Sequence, residues 1–186
     1  MRWDAVHDGR AAFLACMRAF CAPGTPIELP AAPRLCTRTD LDGAAAILLA
    51  MLDHGLCLGV SGSQDVQRTA DVIAERTGAT RTTTPRADWV LVDGPAGDAI
   101  AQARRGSPSA PERGATVVLT GTGTPTWMSI AGPGLPEPTR MPVPLDAVAA
   151  RAFTAANSAH PCGVDLLVVN GQCVIGLPRS VTVEAL

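Results

Sequence analysis

Three features of the sequence predict an α/β fold with a mixed β-sheet covered by helices. Helical and strand patterns alternate through the first half, hairpin patterns dominate the second, and several strands are apolar runs without polar alternation, as buried strands are. At 186 residues the chain is long enough for one domain with a full core, so residues 1–186 are expected to form a single domain.

The elements follow in order. Asp8 is placed to cap a helix running to about Ala22, with Phe13, Met17, Phe20 and Cys21 as its apolar stripe and Pro23-Gly24 as its stop. Ile27-Glu28-Leu29 reads as a short strand closed by Pro30. Asp40 or Asp42 is placed to cap a helix that is apolar all round from Ala44 to Leu52, and so buried, with His54-Gly55 at its end. Leu56 to Val60 follows as a buried strand.

Ser63 is placed to cap a third helix with Val66, Ala70, Ile73 and Thr77 on one face, ended by Gly78. Trp89 to Val92 reads as a buried strand with Asp93-Gly94 at its tip. A short Ala-rich helix to Arg105 precedes a loop from Gly106 to Pro111. Ala115 to Leu119 and Thr126 to Ile130 read as a hairpin around Gly121-Thr122-Gly123-Thr124-Pro125. Residues 132–144, with five prolines and two glycines, read as an irregular connection, too close to the chain's end to be a linker between two cores. Leu145 or Asp146 opens the last helix, with Val148, Ala152, Phe153 and Ala156 on one side.

The strongest local signal comes last. Val164 to Val169 and Cys173 to Leu177 flank Asn170-Gly171, the dipeptide best suited to a type I′ turn. A two-residue Asn-Gly turn pairs Val169 with Gln172 and Asp165 with Gly176, which leaves the carboxylate room. The same register sets Arg179 opposite Cys162 and facing the other way, unless Pro178 turns the chain. Asp165 and Arg179 are the two charges of this hairpin, read either as structural ties or as an anion site.

Composition narrows the function. The chain is 47% hydrophobic and 17% charged with a net charge of −2, and its basic residues do not cluster, which disfavours disordered and nucleic-acid-binding classes. The longest apolar run is too short to span a membrane, and an N-terminus carrying Asp4 and Asp8 does not read as a secretion signal, so a cytoplasmic location is expected. All fifteen basic residues are arginine, so no side-chain amine is present for a Schiff base to pyridoxal phosphate. Six cysteines without a C-x-x-C pair read as buried free thiols, and three isolated histidines make no metal site.

Single motifs give no complete catalytic set. Gly59-Val60-Ser61-Gly62-Ser63 misses the nucleophile elbow because Ser63 stands where the last glycine is needed; its expected role is a turn and cap, with the helix start as an alternative anion site. Gly121-Thr122-Gly123 lacks the third glycine of a dinucleotide fingerprint. His160, before Pro161 at the start of the hairpin, is the histidine best placed for a functional role.

The order of motifs carries more than any one of them. Met17-Arg18-Ala19-Phe20-Cys21-Ala22-Pro23-Gly24-Thr25, Glu112-Arg113-Gly114-Ala115-Thr116, Gly132-Pro133-Gly134-Leu135, Gly163-Val164-Asp165-Leu166 and Leu177-Pro178-Arg179-Ser180 with Val183-Glu184 resemble the PhnH subunit of bacterial carbon–phosphorus lyase along nearly the whole chain. The resemblance implies a three-layer α/β/α domain akin to pyridoxal-phosphate-dependent transferases but without the cofactor. It implies a homodimer when isolated, and partnership with PhnG, PhnI and PhnJ subunits in phosphonate breakdown. There PhnG, PhnH and PhnL assist PhnI in replacing the adenine of a purine nucleoside triphosphate by the phosphonate before PhnJ breaks the carbon–phosphorus bond. It implies no independent catalytic activity. Asp165, Arg179, Pro23 and Gly24, which lie in these motifs, and His160 and Ser63, singled out by their places at the hairpin entrance and the helix start, are the candidate structural, partner-binding or anion-binding residues. The rival expectation is a ligand-binding domain or enzyme, or a stand-alone paralogue, with a site around Asp165, Arg179 and His160 to which Ser63 contributes.

Overall fold

The computed structural model describes residues 3–30, 34–35, 38–120 and 123–186; Cys36 and Gly121-Thr122 fall outside them. The centre is a seven-stranded mixed sheet built from β1 (Ile27–Glu28), β2 (Cys57–Ser61), β3 (Thr80–Arg81), β4 (Trp89–Asp93), β7 (Thr116–Thr120), β10 (Asp165–Asn170) and β11 (Cys173–Leu177). Their order is β1-β11-β10-β7-β4-β2-β3. β3, β2, β4, β7 and β10 pair in parallel, and β11 runs against its neighbours on both sides.

Helices lie on both faces. α1 (His7–Cys21), α2 (Asp42–Met51) and α3 (Gln64–Thr77) share one apolar core with Leu58, Leu91, Val118 and Leu167. α4 (Gly97–Gln102) and α5 (Ala147–Ala156) share the opposite core with Val90, Val117 and Leu166. This second layer also holds a three-stranded sheet, ordered β12-β8-β9, made of β8 (Thr126–Ala131), β9 (Thr139–Val143) and β12 (Thr182–Ala185). From β2 the chain crosses by α3 outward to β3, and from β4 it crosses by α4 the other way to β7. Right-handed crossovers taken in opposite directions put their helices on opposite faces, so a topological switch point lies between β2 and β4.

The structure corrects several sequence expectations. Asp4, not Asp8, caps α1: its Oδ1 accepts from the backbone N–H groups of Val6 and His7 at 2.9 Å each, and Asp8 Oδ2 accepts from the N–H of Asp4 at 2.8 Å in return. The buried stripe of α1 is Ala12, Ala15, Cys16 and Ala19, while Phe13 is 44% exposed and Cys21 is exposed. The cause is Gly176 on β11. A Cβ there would lie 2.5 Å from the carbonyl carbon of Ala19, so the helix backbone rests on the strand and only small residues fit between them.

Neither Asp40 nor Asp42 caps α2, which continues from a 3-10 turn at Thr39–Leu41. Ser63 holds the N-cap position of α3 without a side-chain cap bond. The expected loop after Gly106 is a two-stranded hairpin, β5 (Arg105–Ser107) with β6 (Ala110–Gly114), and Arg105 therefore belongs to a strand. β7 and β8 form no hairpin: β7 is completed by β4 and β10 in the large sheet, which leaves β8 to pair with β9 and β12. The expected irregular connection contains β9, whose Pro142 lies on an edge strand, where a missing N–H costs no ladder bond. Asp146 caps α5 by accepting from Val148 and Ala149 N–H at 2.8 Å each; the buried face is Ala149, Ala150, Phe153 and Ala156, with Val148 turned outward.

The turn of the last hairpin sits one residue later than expected, which shifts the strand pairing by two residues. Asn170 pairs with Cys173, so the turn is Gly171-Gln172 with positive φ only at Gly171. This is the type II′ pattern, glycine first. Gly176 consequently lies opposite Leu167 instead of Asp165.

Candidate functional site

Asp165 and Arg179 meet at the amino edge of the large sheet. Asp165 opens β10 beside Thr116 of β7, and the chain turns after Pro178, where Val181 N–H bonds Pro178 O. That turn brings Arg179 back onto Asp165. The backbone N–H of Arg179 donates to Asp165 Oδ1 at 2.7 Å, its Nε to Oδ1 at 3.2 Å and Oδ2 at 3.1 Å, and its Nη2 to Oδ2 at 2.5 Å. The remaining donors reach β6, Nη1 to Pro111 O at 2.6 Å and Nη2 to Gly114 O at 3.4 Å. The two side chains are 18% and 19% exposed. The planar guanidinium fork is thus occupied on both edges.

A second arginine holds β6 from the other side. Arg104 donates through Nε to Arg113 O at 2.5 Å and pairs with Asp88, whose other oxygen accepts from the N–H of Cys57 at 2.8 Å. Asn157, 5% exposed, completes this edge by bonding both backbone groups of Val164. Gly163 packs so tightly on Asn157 and Arg179 that a Cβ would lie 3.2 Å from Arg179 Cβ.

The other sequence candidates lie apart. His160 is exposed, and its side chain makes no hydrogen bond or ion pair among the described residues. Pro23 and Gly24 are buried between β11 and β9: Gly24 N–H bonds Gly176 O at 3.1 Å, and its φ of 80° is a conformation glycine supplies. Ser63 follows the carboxyl end of β2, at the opposite edge of the sheet from Asp165, so it shares no site with the Asp165–Arg179 pair.

At Ser63's edge the switch point carries a cluster that the sequence reading did not assemble. Arg38 reaches across from the segment before α2 and bonds Asp93 twice, Nη1 to Oδ2 at 2.6 Å and Nη2 to Oδ1 at 3.0 Å; it also pairs with Asp40 and lies 3.4 Å from Ser63 Oγ. The buried Thr120 donates to Asp40 O at 2.8 Å, tying the same segment to the end of β7. Hydrogen bonds from Arg38 hold the Asp40 carboxyl below its usual range, and Asp93 and Asp40 hold the Arg38 guanidinium protonated. Beside this cluster a cavity of about 350 Å³ is lined by Arg34, Thr39, Asp42 and Gln172 among others, and burial raises the Asp42 carboxyl. The legible signal was Asp93-Gly94 at a strand tip; its partner Arg38 lies 55 residues away in a segment with no periodic pattern.

No group of three or more His, Cys, Asp or Glu side chains is arranged to hold a metal among the described residues, and no helix there is long and apolar enough to cross a membrane. Cys16, Cys21, Cys57, Cys162 and Cys173 are free thiols, but against the expectation of burial only Cys16 among them is buried, while Cys21 is exposed and the other three are half-buried.

Two comparisons bear on this scaffold. Residues 2–184 match the profile of a family described as bacterial phosphonate metabolism protein (PhnH). Over 183 residues the chain is 28% identical to a protein of Stutzerimonas stutzeri named putative C-P lyase subunit protein HtxG, covering 96% of this chain and 86% of that one.

Proposed function

Since the chain belongs to the PhnH family of bacterial phosphonate metabolism proteins, we propose that it is a non-catalytic accessory subunit of a carbon–phosphorus lyase. In this reading it forms a homodimer when isolated and joins PhnG-, PhnI- and PhnJ-type subunits in the cytoplasm. There it assists the PhnI-dependent transfer of a phosphonate onto the ribose of a purine nucleoside triphosphate. The relative named as a putative C-P lyase subunit supports membership of an assembly. One observation carries the non-catalytic part: the charges best placed to act on a ligand, Asp165 and Arg179, spend their hydrogen-bonding capacity on each other and on the β6 backbone.

Both cores press on one sheet, which supports reading residues 1–186 as a single domain. The layered arrangement suits kinship with the fold of pyridoxal-phosphate-dependent transferases. The cofactor does not fit this chain, since it has no lysine to form the internal Schiff base. Asp165, Arg179, Pro23 and Gly24 then act as scaffold, while Ser63 and His160 remain on the surface for partners.

Complementation tests the reading. Deleting the gene should abolish growth on an alkyl phosphonate as sole phosphorus source, and genes carrying Ser63→Ala or His160→Ala should restore it. Undiminished growth of the deletion strain overturns the role in phosphonate use, and loss of growth with Ser63→Ala or His160→Ala protein that still co-purifies with the other subunits overturns the non-catalytic assignment.

A further inference from the structure

The outer face of the three-stranded sheet carries an apolar row that nothing in the fold covers. Trp127 on β8 pairs with Pro142 on β9, and on its other side Leu186 N–H bonds Trp127 O at 3.0 Å, continuing the β12 register. Trp127 is 58% and Leu186 61% exposed, and Pro142 is exposed as well. One pleat further along the same face, Ser129 lies between Arg140 on β9 and Glu184 on β12. Both charges are exposed, and neither forms an ion pair among the described residues. They stand on strands either side of β8, about 10 Å apart, with side chains that rise side by side from the same face.

This pattern is its own complement. Place a two-fold axis along β8, in the plane between two such faces. Trp127 then meets Trp127 of the second copy, Leu186 meets the opposing Pro142, and Arg140 meets the opposing Glu184 on both sides of the axis. Facing sheets pack about 10 Å apart, a gap that an Arg and a Glu side chain bridge together. A face with one charge of each sign suits neither a nucleic acid nor an anionic membrane, which would select cations alone. We infer that two copies of this chain associate through this sheet face, with Trp127 at the centre and reciprocal Arg140–Glu184 pairs at the rim. The inference names the surface of the homodimer proposed above and rests on that reading for the dimer itself.

Sedimentation velocity on the full chain tests it, with thermal melting to confirm that each variant folds. Arg140→Glu and Glu184→Arg each create two like-charge contacts and should weaken the dimer at least about tenfold, and the double swap should recover most of that loss. Trp127→Glu should give monomer. A parent protein that is monomeric overturns the homodimer reading together with this surface. A dimer indifferent to the single swaps, or a double swap no tighter than either single, overturns the surface alone.

Discussion

Arg179 and Asp165 form a two-pronged ion pair that ties the start of β10 to the turn after β11, while the same guanidinium reaches the β6 carbonyls of Pro111 and Gly114. Lysine offers a single point charge in place of this fork, so Arg179→Lys should cost roughly 2–3 kcal/mol, and Asp165→Ala should cost as much by leaving the cation without its partner. Urea unfolding measures both. Parent-like stability of Arg179→Lys contradicts the tie.

Arg38 depresses the Asp40 carboxyl chiefly by hydrogen bonding to it. A folded-state pKa below the unfolded one gives stability that is present above the unfolded carboxylate range and is lost as pH falls through the folded value. Arg38→Gln should therefore move the Asp40 midpoint upward in a carboxylate NMR titration. An unmoved midpoint contradicts the assignment.

Burial pushes the Cys16 thiol up to about 12. Its folded pKa exceeds its unfolded one, so its contribution is complete below the unfolded thiol pKa and fades as pH rises toward the folded value. Iodoacetamide at pH 8 should label the exposed Cys21 well before Cys16. Equal labelling rates in the native protein contradict the buried placement.

Gly24 has a φ of 80°, and a Cβ there would run into Met141 and come within 2.9 Å of Ile130 Cδ1. Gly24→Ala should destabilise the protein by about 1–3 kcal/mol through strain and crowding. The midpoint of thermal unfolding measures it, and an unchanged midpoint contradicts the packing described for the Pro23-Gly24 turn.

The central strands and the long helices were legible because their signals are local. Trp89 to Val92 is an apolar run of strand length, and Gly78 ends α3 in the left-handed conformation that its position suggests. The register of the last hairpin was not. Moving the turn by one residue shifts the pairing by two and leaves every side chain on the same face, so the apolar pattern does not discriminate the two registers, and the choice between Asn170-Gly171 and Gly171-Gln172 depends on the whole ladder. The α1 stripe was legible only in part: Met17 and Phe20 pack half-buried against the core, but Phe13 and Cys21 are exposed, because Gly176 lets the helix backbone approach and selects small residues for the fully buried face. β9 and β12 were hidden by prolines and by shortness.

The candidate site divides in the same way. Asp165 and Arg179 stood out as charges in apolar surroundings, and only the turn at Pro178 determines that they meet. Arg38 and Asp93 meet because the sheet brings the end of β4 beneath a segment that carries no pattern of its own.

Membership of an assembly is the claim on which the functional account depends, and co-purification measures it directly. Expressed together with PhnG-, PhnI- and PhnJ-type subunits from the same genome and run on gel filtration, this chain should elute in the high-mass peak with all three. Elution at its own small size, with the other subunits assembled without it, contradicts the account.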